Sequence, residues 1–317
     1  MLEVLLSAWI IMAIFVIFER RLYRIVVYFT IYSLITSVCY LILGAPDIAI
    51  AEAAISAFVI IFFIVCIEHL YDSEREPSTN DFSGSAKRVL QIVLAVLFTA
   101  GLFFMFIHFM PDVVGVAYLY EQYMLRFMQD VGGQNAVNAI LAGYRVYDTL
   151  FEALILVISV LAVAHFSWTD DMSLLDKRKS QVRKSNLAAY IVRWICPLLL
   201  IFGTYLIMNG HISAGGGFQG GLVIASFFIC RYFLYGISDI PIQKVLRLEE
   251  LIFINMIIVA IIAVFLGALA YLPPQYIGVY QELYLTMMNI LIGLKVACGF
   301  FILFYRYIAI ERVTHRM

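Results

Sequence analysis

The chain alternates between long apolar runs and short polar breaks. Runs of helical length fall at about 2–18, 25–43, 48–68, 88–109, 147–166, 189–208, 218–236, 251–271 and 285–306. A helix needs about 20 apolar residues to cross the hydrocarbon core of a bilayer. No run shows the every-other-residue alternation of a barrel strand. The pattern therefore predicts an all-α, polytopic integral membrane protein with about nine transmembrane helices. Two polar stretches, Asp72 to Ser85 and Ser167 to Asn186, read as linkers. They divide the helices into a 3 + 2 + 4 arrangement, with blocks at 1–72, 86–170 and 186–317. No internal repeat stands out. The segment Asp112 to Asp130 carries Tyr118, Tyr120, Tyr123, Phe127 and Met128. It is amphipathic enough to lie on the membrane surface or to pack beneath a partner.

Composition agrees. The chain of 317 residues is 64% hydrophobic and 14% charged, where a soluble protein has about a quarter charged. The net charge of −1 argues against a nucleic-acid role. Cys39, Cys66, Cys196, Cys230 and Cys298 are scattered through apolar runs without metal-site or disulfide spacing. They read as packing residues, and no metal site, cofactor or catalytic constellation is expected in this chain. The first apolar run lacks a basic leader and a small-residue cleavage site, so it reads as a retained helix.

Lysine and arginine set the expected orientation. They collect after the first helix (Arg20, Arg21, Arg24), the third (Arg75, Lys87, Arg88), the fifth (Lys177, Arg178, Lys179, Arg183, Lys184), the seventh (Arg231, Lys244, Arg247) and the ninth (Arg306, Arg312, Arg316). The turns after the second, sixth and eighth helices carry none. This predicts an N-terminus outside and a C-terminus in the cytoplasm.

Four groups of residues break the apolar pattern. The first is Asn209-Gly210-His211-Ile212-Ser213-Ala214-Gly215-Gly216-Gly217-Phe218-Gln219-Gly220-Gly221. Glycine costs about 1 kcal/mol against alanine in a helix interior, so this is an irregular turn. It is either a flexible interhelical connection or a segment pressed against other backbone. His211 suits a hydrogen-bonded turn residue, with a proton relay as the alternative. The second is Gly44-Ala45-Pro46-Asp47, followed by Glu52. Pro46 can open a helix, Asp47 would sit at the positive end of its dipole as an interface cap, and Glu52 lies about 7 Å deeper. The third is Arg145, Asp148 and Glu152, spaced i, i+3, i+7 on one helical face. Arg145 and Asp148 can form an ion pair, leaving Glu152 one turn deeper without a base nearby. The fourth is Lys295, mid-span in the last apolar run. A lysine there costs about 3 kcal/mol and calls for a carboxylate or water as partner.

These groups carry a resemblance. The glycine-rich turn resembles the Gly-His-x-x-Pro-Gly-Gly-Gly-Phe-Gln-Gly-Gly signature of the B subunit (MnhB-like) of Mrp-type multisubunit sodium/proton antiporters, with Ala214 in place of proline. Gly44 to Glu52 resembles a segment that occurs both in the C-terminal region of the antiporter's A subunit and in the D subunit of membrane-bound hydrogenases, with Ala51 in place of threonine. Val137 to Glu152 resembles the Val-Asn-x-Ile-Leu-Val-Asp-Phe-Arg-Gly-Phe-Asp-Thr-Leu-Gly-Glu motif of the A-subunit end or of the hydrogenase E subunit. There Gly143 replaces aspartate, and Val146 and Phe151 replace glycines, so Phe151 is expected to crowd the approach to Glu152. The order resembles a fusion of hydrogenase-type D, E and F subunits.

The resemblance implies a membrane subunit of an Mrp-like module exchanging Na+ and H+. It implies other antiporter-like membrane subunits as partners within the lipid bilayer of a prokaryotic cell (inner) membrane. The module could stand alone or serve a redox arm such as a group 4 membrane-bound hydrogenase, so the chain could belong to an oxidoreductase complex. Asp47, Glu52, Asp148 and Glu152 are then expected cation-path acids, with Lys295 as a charge partner and His211 and Arg145 as further candidates. Pro46, Gly215, Gly216, Gly217, Gly220 and Gly221 are expected to shape turns. The rival readings are a non-conducting scaffold and an independent transporter of an organic solute. The latter favours paired broken helices, whereas only one broken region is visible here.

Overall fold

The fold is described from a computed structural model, covering residues 2–19, 21–70, 85–108, 113–166, 186–235, 242–269 and 274–314. The linkers at 71–84 and 167–185, with the basic run from Lys177 to Lys184, lie outside the described residues. Every regular element among those described is helical. They are α1 (Leu2–Phe18), α2 (Leu22–Ile42), α3 (Pro46–Leu70), α4 (Ser85–His108), α5 (Val113–Asp130), α6 (Ala136–Ala139), a π-turn (Ile140–Tyr144), α7 (Val146–Phe166), α8 (Asn186–Asn209), α9 (Gly217–Tyr235), α10 (Ile242–Leu269) and α11 (Pro274–Thr314).

The chain forms two compact units, one of Met1–Leu70 with Phe127–Met317 and one of Tyr71–Arg126. In the larger unit, α2 stops because Gly44 turns left-handed at φ 75°. Gly44 N–H then donates to Leu41 O and Ala45 N–H to Tyr40 O, the paired bonds of a Schellman cap. Pro46 follows as the first residue of α3, where its missing N–H costs nothing.

The centre of this unit is α11. Of its membrane-length stretch 61% is buried, against 22–28% for the other five helices long and apolar enough to cross a membrane, α2, α3, α7, α8 and α10. It packs on α7, α8, α9, α10 and α3, and α9 is wedged between it and α8. Fully buried Leu285, Met288 and Ile302 of α11 meet Leu222 and Ile229 of α9 and Met256 of α10 in one core. The periphery is apolar as well: Ile10, Phe15, Leu198, Ile201 and Phe265 are about half exposed or more. Large apolar side chains facing outward on every flank are what a lipid solvent requires, and the protein is a multi-pass membrane protein.

Six helices meet the length and apolarity of a span among the described residues. Shorter apolar helical stretches occupy Leu2–Phe18, Val96–Met105 and Gly217–Arg231. Two helices run two turns or more beyond the sequence expectation. α10 begins at Ile242 rather than 251, and α11 runs Pro274–Thr314 rather than 285–306. The first turns of α10 hold Lys244, Arg247 and Glu250 on an exposed flank, while Ile242, Glu249, Ile252 and Met256 form a buried stripe. Apolarity ends where the charges begin, but the helix does not.

In the smaller unit, α4 displays Leu97, Phe98, Phe103 and Phe104 outward. The amphipathic segment expected after it is helical as α5, with Tyr118, Leu119 and Tyr120 exposed.

Candidate functional site

The glycine-rich turn is built against α11. After α8 ends, the Ile212 and Ser213 N–H groups both return to Asn209 O at 2.9 Å, and Gly216 N–H reaches Leu206 O at 3.1 Å. Gly215 and Gly216 take φ values of 148° and 147°, which side chains rarely adopt. A Cβ on Gly217 would lie 2.5 Å from the Asn289 carbonyl of α11. Gly220 and Gly221, expected in the turn, instead lie within the first turns of α9. There they face carbonyl oxygens of Gly203 and Gly293 on the flanking helices, each 2.6 Å from an added Cβ. Their need for glycine comes from helix–helix approach.

Asp47 meets this turn. Its Oδ1 accepts from the Gly215 N–H at 3.1 Å and from Asn135 Nδ2 at 2.8 Å, and the residue is 8% exposed. It sits in the first turn of α3, as expected, but its described hydrogen bonds run to other segments of the chain. Asn135 is the N-cap of α6: its Oδ1 accepts from Val137 and Asn138 N–H. Its amide also reaches Ser213 O and Gly210 O. The Gln134 and Asn135 backbone N–H groups donate to His211 O at 2.8 and 3.0 Å. The His211 ring lies 3.5 Å from Thr286 Oγ1, so its described contacts are those of a turn residue. Three stretches far apart in sequence thus join at Asn135, which sequence reasoning passed over. An asparagine before Ala136 reads as a helix cap and nothing more.

Below the turn lies a cavity of about 620 Å³. Gly215, Gly216 and Gly217 wall it on one side, α6, the π-turn and α7 on another, and α11 on a third. Among the described residues Glu152 is the single ionisable one lining it, beside the polar groups of Asn138, Thr149, Ser159, Gln219 and Asn289. Asn138 and Asn289 are 7% and 1% exposed, and their amide nitrogens have no hydrogen-bond partner among the described residues. The π-turn sits where the backbone must change pitch. Arg145 N–H donates to Ile140 O, Thr149 Oγ1 donates to Leu141 O, and Tyr284 OH donates to Ala142 O. Phe151 is 62% exposed and does not line the cavity. It does not crowd Glu152 from within, because consecutive helix positions point about 100° apart. A Cβ at Gly143, where the resembling motif has aspartate, would meet Val131 at 2.5 Å.

The other expected charges lie elsewhere. Glu52 is half-buried between α2 and α3, where its Oε1 accepts from Ser33 and Ser56 hydroxyls. Arg145 and Asp148 form an ion pair with side chains 58% and 43% exposed. Lys295 is fully buried and pairs with Glu249 of α10, with the Phe253 ring 5.6 Å away. Glu249 was missed because the expected helix began after it. Its position on the stripe of Ile242, Ile252 and Met256 was the available signal. Among the described residues no three His, Cys, Asp or Glu side chains converge as a metal site.

Residues 187–302 match the model of a domain related to the MnhB subunit of Na+/H+ antiporters, and residues 7–72 match that of the MBH D-subunit family. A probable K(+)/H(+) antiporter protein of Rhizobium meliloti (strain 1021), described as its A/B subunit, is 25% identical over 228 residues, covering 63% of this chain. The chain spans only 22% of that relative's length. Among solved structures, the Mrp complex of Dietzia sp. DQ12-45-1b aligns with a TM-score of 0.61 at 18% identity, over 94% of this chain and 34% of that one. A chain of the archaeal membrane-bound sulfane sulfur reductase aligns with a TM-score of 0.56 at 25% identity, over 70% of this chain and 97% of that one. The second is described as an archaeal respiratory membrane complex. The chain thus carries an MBH D-type region ahead of an MnhB-related one, and it is similar to antiporter-related membrane subunits of the Mrp and Mbh type.

Proposed function

We propose that this chain is a conducting subunit of an Mrp-like cation/proton antiporter module, and that Glu152 exchanges its proton as a cation such as Na+ passes. The observation that carries this reading is the cavity under the glycine turn, with Glu152 its single ionisable lining residue. Irregular backbone at membrane depth is tolerated where it lines an aqueous cavity. Buried amide N–H donors on Asn138 and Asn289, without a partner among the described residues, fit water molecules that accept from them inside the cavity. On this reading α1, α4 and α9 join the other six as spans, nine in all, so the termini lie on opposite sides, and the alternation of lysine and arginine favours an N-terminus outside and a C-terminus in the cytoplasm of a prokaryotic membrane. The D–E–F order favours a larger complex with antiporter-like partners and a redox arm of the hydrogenase or sulfur-reductase kind. Glu52, outside the cavity, is a second candidate for exchange.

The test is Glu152→Gln in the whole complex. Size and hydrogen bonding stay, while the exchangeable charge goes. Sodium-dependent proton movement in vesicles should be largely lost with assembly intact. Parent-like transport over pH 6–9 would instead favour a scaffold that holds conducting subunits. One observation already supports that rival: Asp148 and Lys295, two of the expected path charges, are each paired within this chain.

A further inference from the structure

Asp47 was expected among the path acids, yet its surroundings are those of a fastener. We infer that Asp47 and Asn135 are positioning residues: together they pin the glycine turn that walls the Glu152 cavity, and neither exchanges an ion. The inference rests on that cavity being the cation path.

Asn135 has no freedom to turn its amide. Its Oδ1 is taken by the N–H groups of Val137 and Asn138 at 2.9 and 3.3 Å. Its Nδ2 is thereby aimed at three oxygens: Asp47 Oδ1 at 2.8 Å, Ser213 O at 2.9 Å and Gly210 O at 3.1 Å. The nitrogen occupies the centre of an oxygen cluster and supplies, as N–H, the positive charge density those oxygens need. Asp47 Oδ1 also takes the Gly215 N–H at 3.1 Å. Gly215 has a positive φ of 148°, and a Cβ there would lie 3.2 Å from Leu206, so its contact with Asp47 is made through the backbone N–H.

Asp47 is 8% exposed and does not line the cavity. Among the described residues no cationic side chain pairs with it. A carboxylate serving a moving cation needs an open approach. The one oxygen of Asp47 with described contacts is closed by two donors from two other parts of the chain. Its charge strengthens those bonds, as charge-assisted hydrogen bonds are roughly twice as strong as neutral ones.

The two roles separate by substitution. Asp47→Asn keeps an acceptor oxygen for Gly215 and Asn135 but carries no charge. Asp47→Ala removes the acceptor. Asn135→Asp keeps the oxygen that caps α6 and turns the donor into a second carboxylate facing Asp47 and two carbonyls. Each variant would be made in the whole complex and assayed twice: by sodium-dependent proton movement, and by maleimide labelling of Ala214→Cys in detergent with native cysteines replaced. Asp47→Asn should keep transport and its apparent KM for sodium within about threefold of the parent, and should label at the parent rate. Asp47→Ala and Asn135→Asp should lose transport and label about tenfold faster or more, because the turn opens. An assembled Asp47→Asn complex that labels like the parent but no longer transports would overturn the inference, since the charge itself would then be required. Parent-rate labelling in both Asp47→Ala and Asn135→Asp would also overturn it. The labelling arm does not depend on transport. It stays decisive even if Glu152→Gln removes the cavity's assigned role.

Discussion

The two faces of α11 handle charge in opposite ways. Toward α10, Lys295 is fully buried, meets Glu249 at 1% exposure, and has the ring of Phe253 beside it. Toward α7, α11 contributes Asn289 and Ile292 to a cavity whose one ionisable residue, among those described, is Glu152. From sequence the two charges look alike, each an ionisable group inside an apolar helix. An intramembrane charge is a reason to look for function. What separates the two is the company each keeps. A charge matched by its complement on the next helix is spent on holding helices together. A carboxylate that opens on amides, hydroxyls and space has capacity left for an exchanging ion.

The largest effect should come from breaking the matched pair on one side. Glu249→Leu leaves the Lys295 cation buried among apolar groups, a change that typically costs about 3–5 kcal/mol. The assembled complex should lose much of its thermal stability, or fail to assemble. Adding Lys295→Met should restore most of it, because two apolar side chains can replace a buried pair at little cost. The pH for half-maximal transport in that double variant should match the parent. A shifted pH profile would tie Lys295 to the path acids and erase the contrast between the two faces.

A smaller loss is expected on the cavity side from Gly217→Val. Its Cβ would stand 2.5 Å from the Asn289 carbonyl, a backbone atom that cannot swing away. Overpacking of this kind costs about 1–3 kcal/mol and should separate α9 from α11 where they wall the cavity. Ala214→Pro is the matched control. The Ala214 N–H makes none of the turn's backbone hydrogen bonds, so a proline removes none of them. Melting temperatures of the two variants should differ with valine the lower, and equal values would return the turn to the flexible reading.

How much of this was legible in the sequence follows from what each feature depends on. Helices are written in local apolarity, so the helical character and the apolar runs could be read directly. The irregular turn could be read too, since five glycines in seven residues exclude a helix. Partnerships were hidden where they join distant stretches. Asn135 reaches Asp47 across 88 positions and Gly210 across 75, and no local pattern encodes that. Glu249 was hidden for a different reason. Lys244, Arg247 and Glu250 around it end the apolar run, although Glu249 itself continues the buried stripe of α10. Lys295 alone announced that a partner must exist.

The smallest effect tests the comparison at its edge. Arg145 and Asp148 pair just above Glu152, with side chains 58% and 43% exposed. An exposed pair three residues apart is worth about 0–1 kcal/mol and weakens as salt screens it. Asp148→Asn should therefore lower the melting temperature slightly at low salt and not measurably at high salt. Transport is the sharper readout, because Asp148 was expected among the path acids and does not line the cavity. If a charge with a local partner is structural on this side of α11 as it is on the other, Asp148→Asn should transport like the parent, and Arg145→Gln should do the same. If Asp148→Asn instead loses transport as Glu152→Gln is expected to, the pair is a gate above the cavity. The rule drawn from Lys295 and Glu249 would then hold only for pairs sealed from solvent.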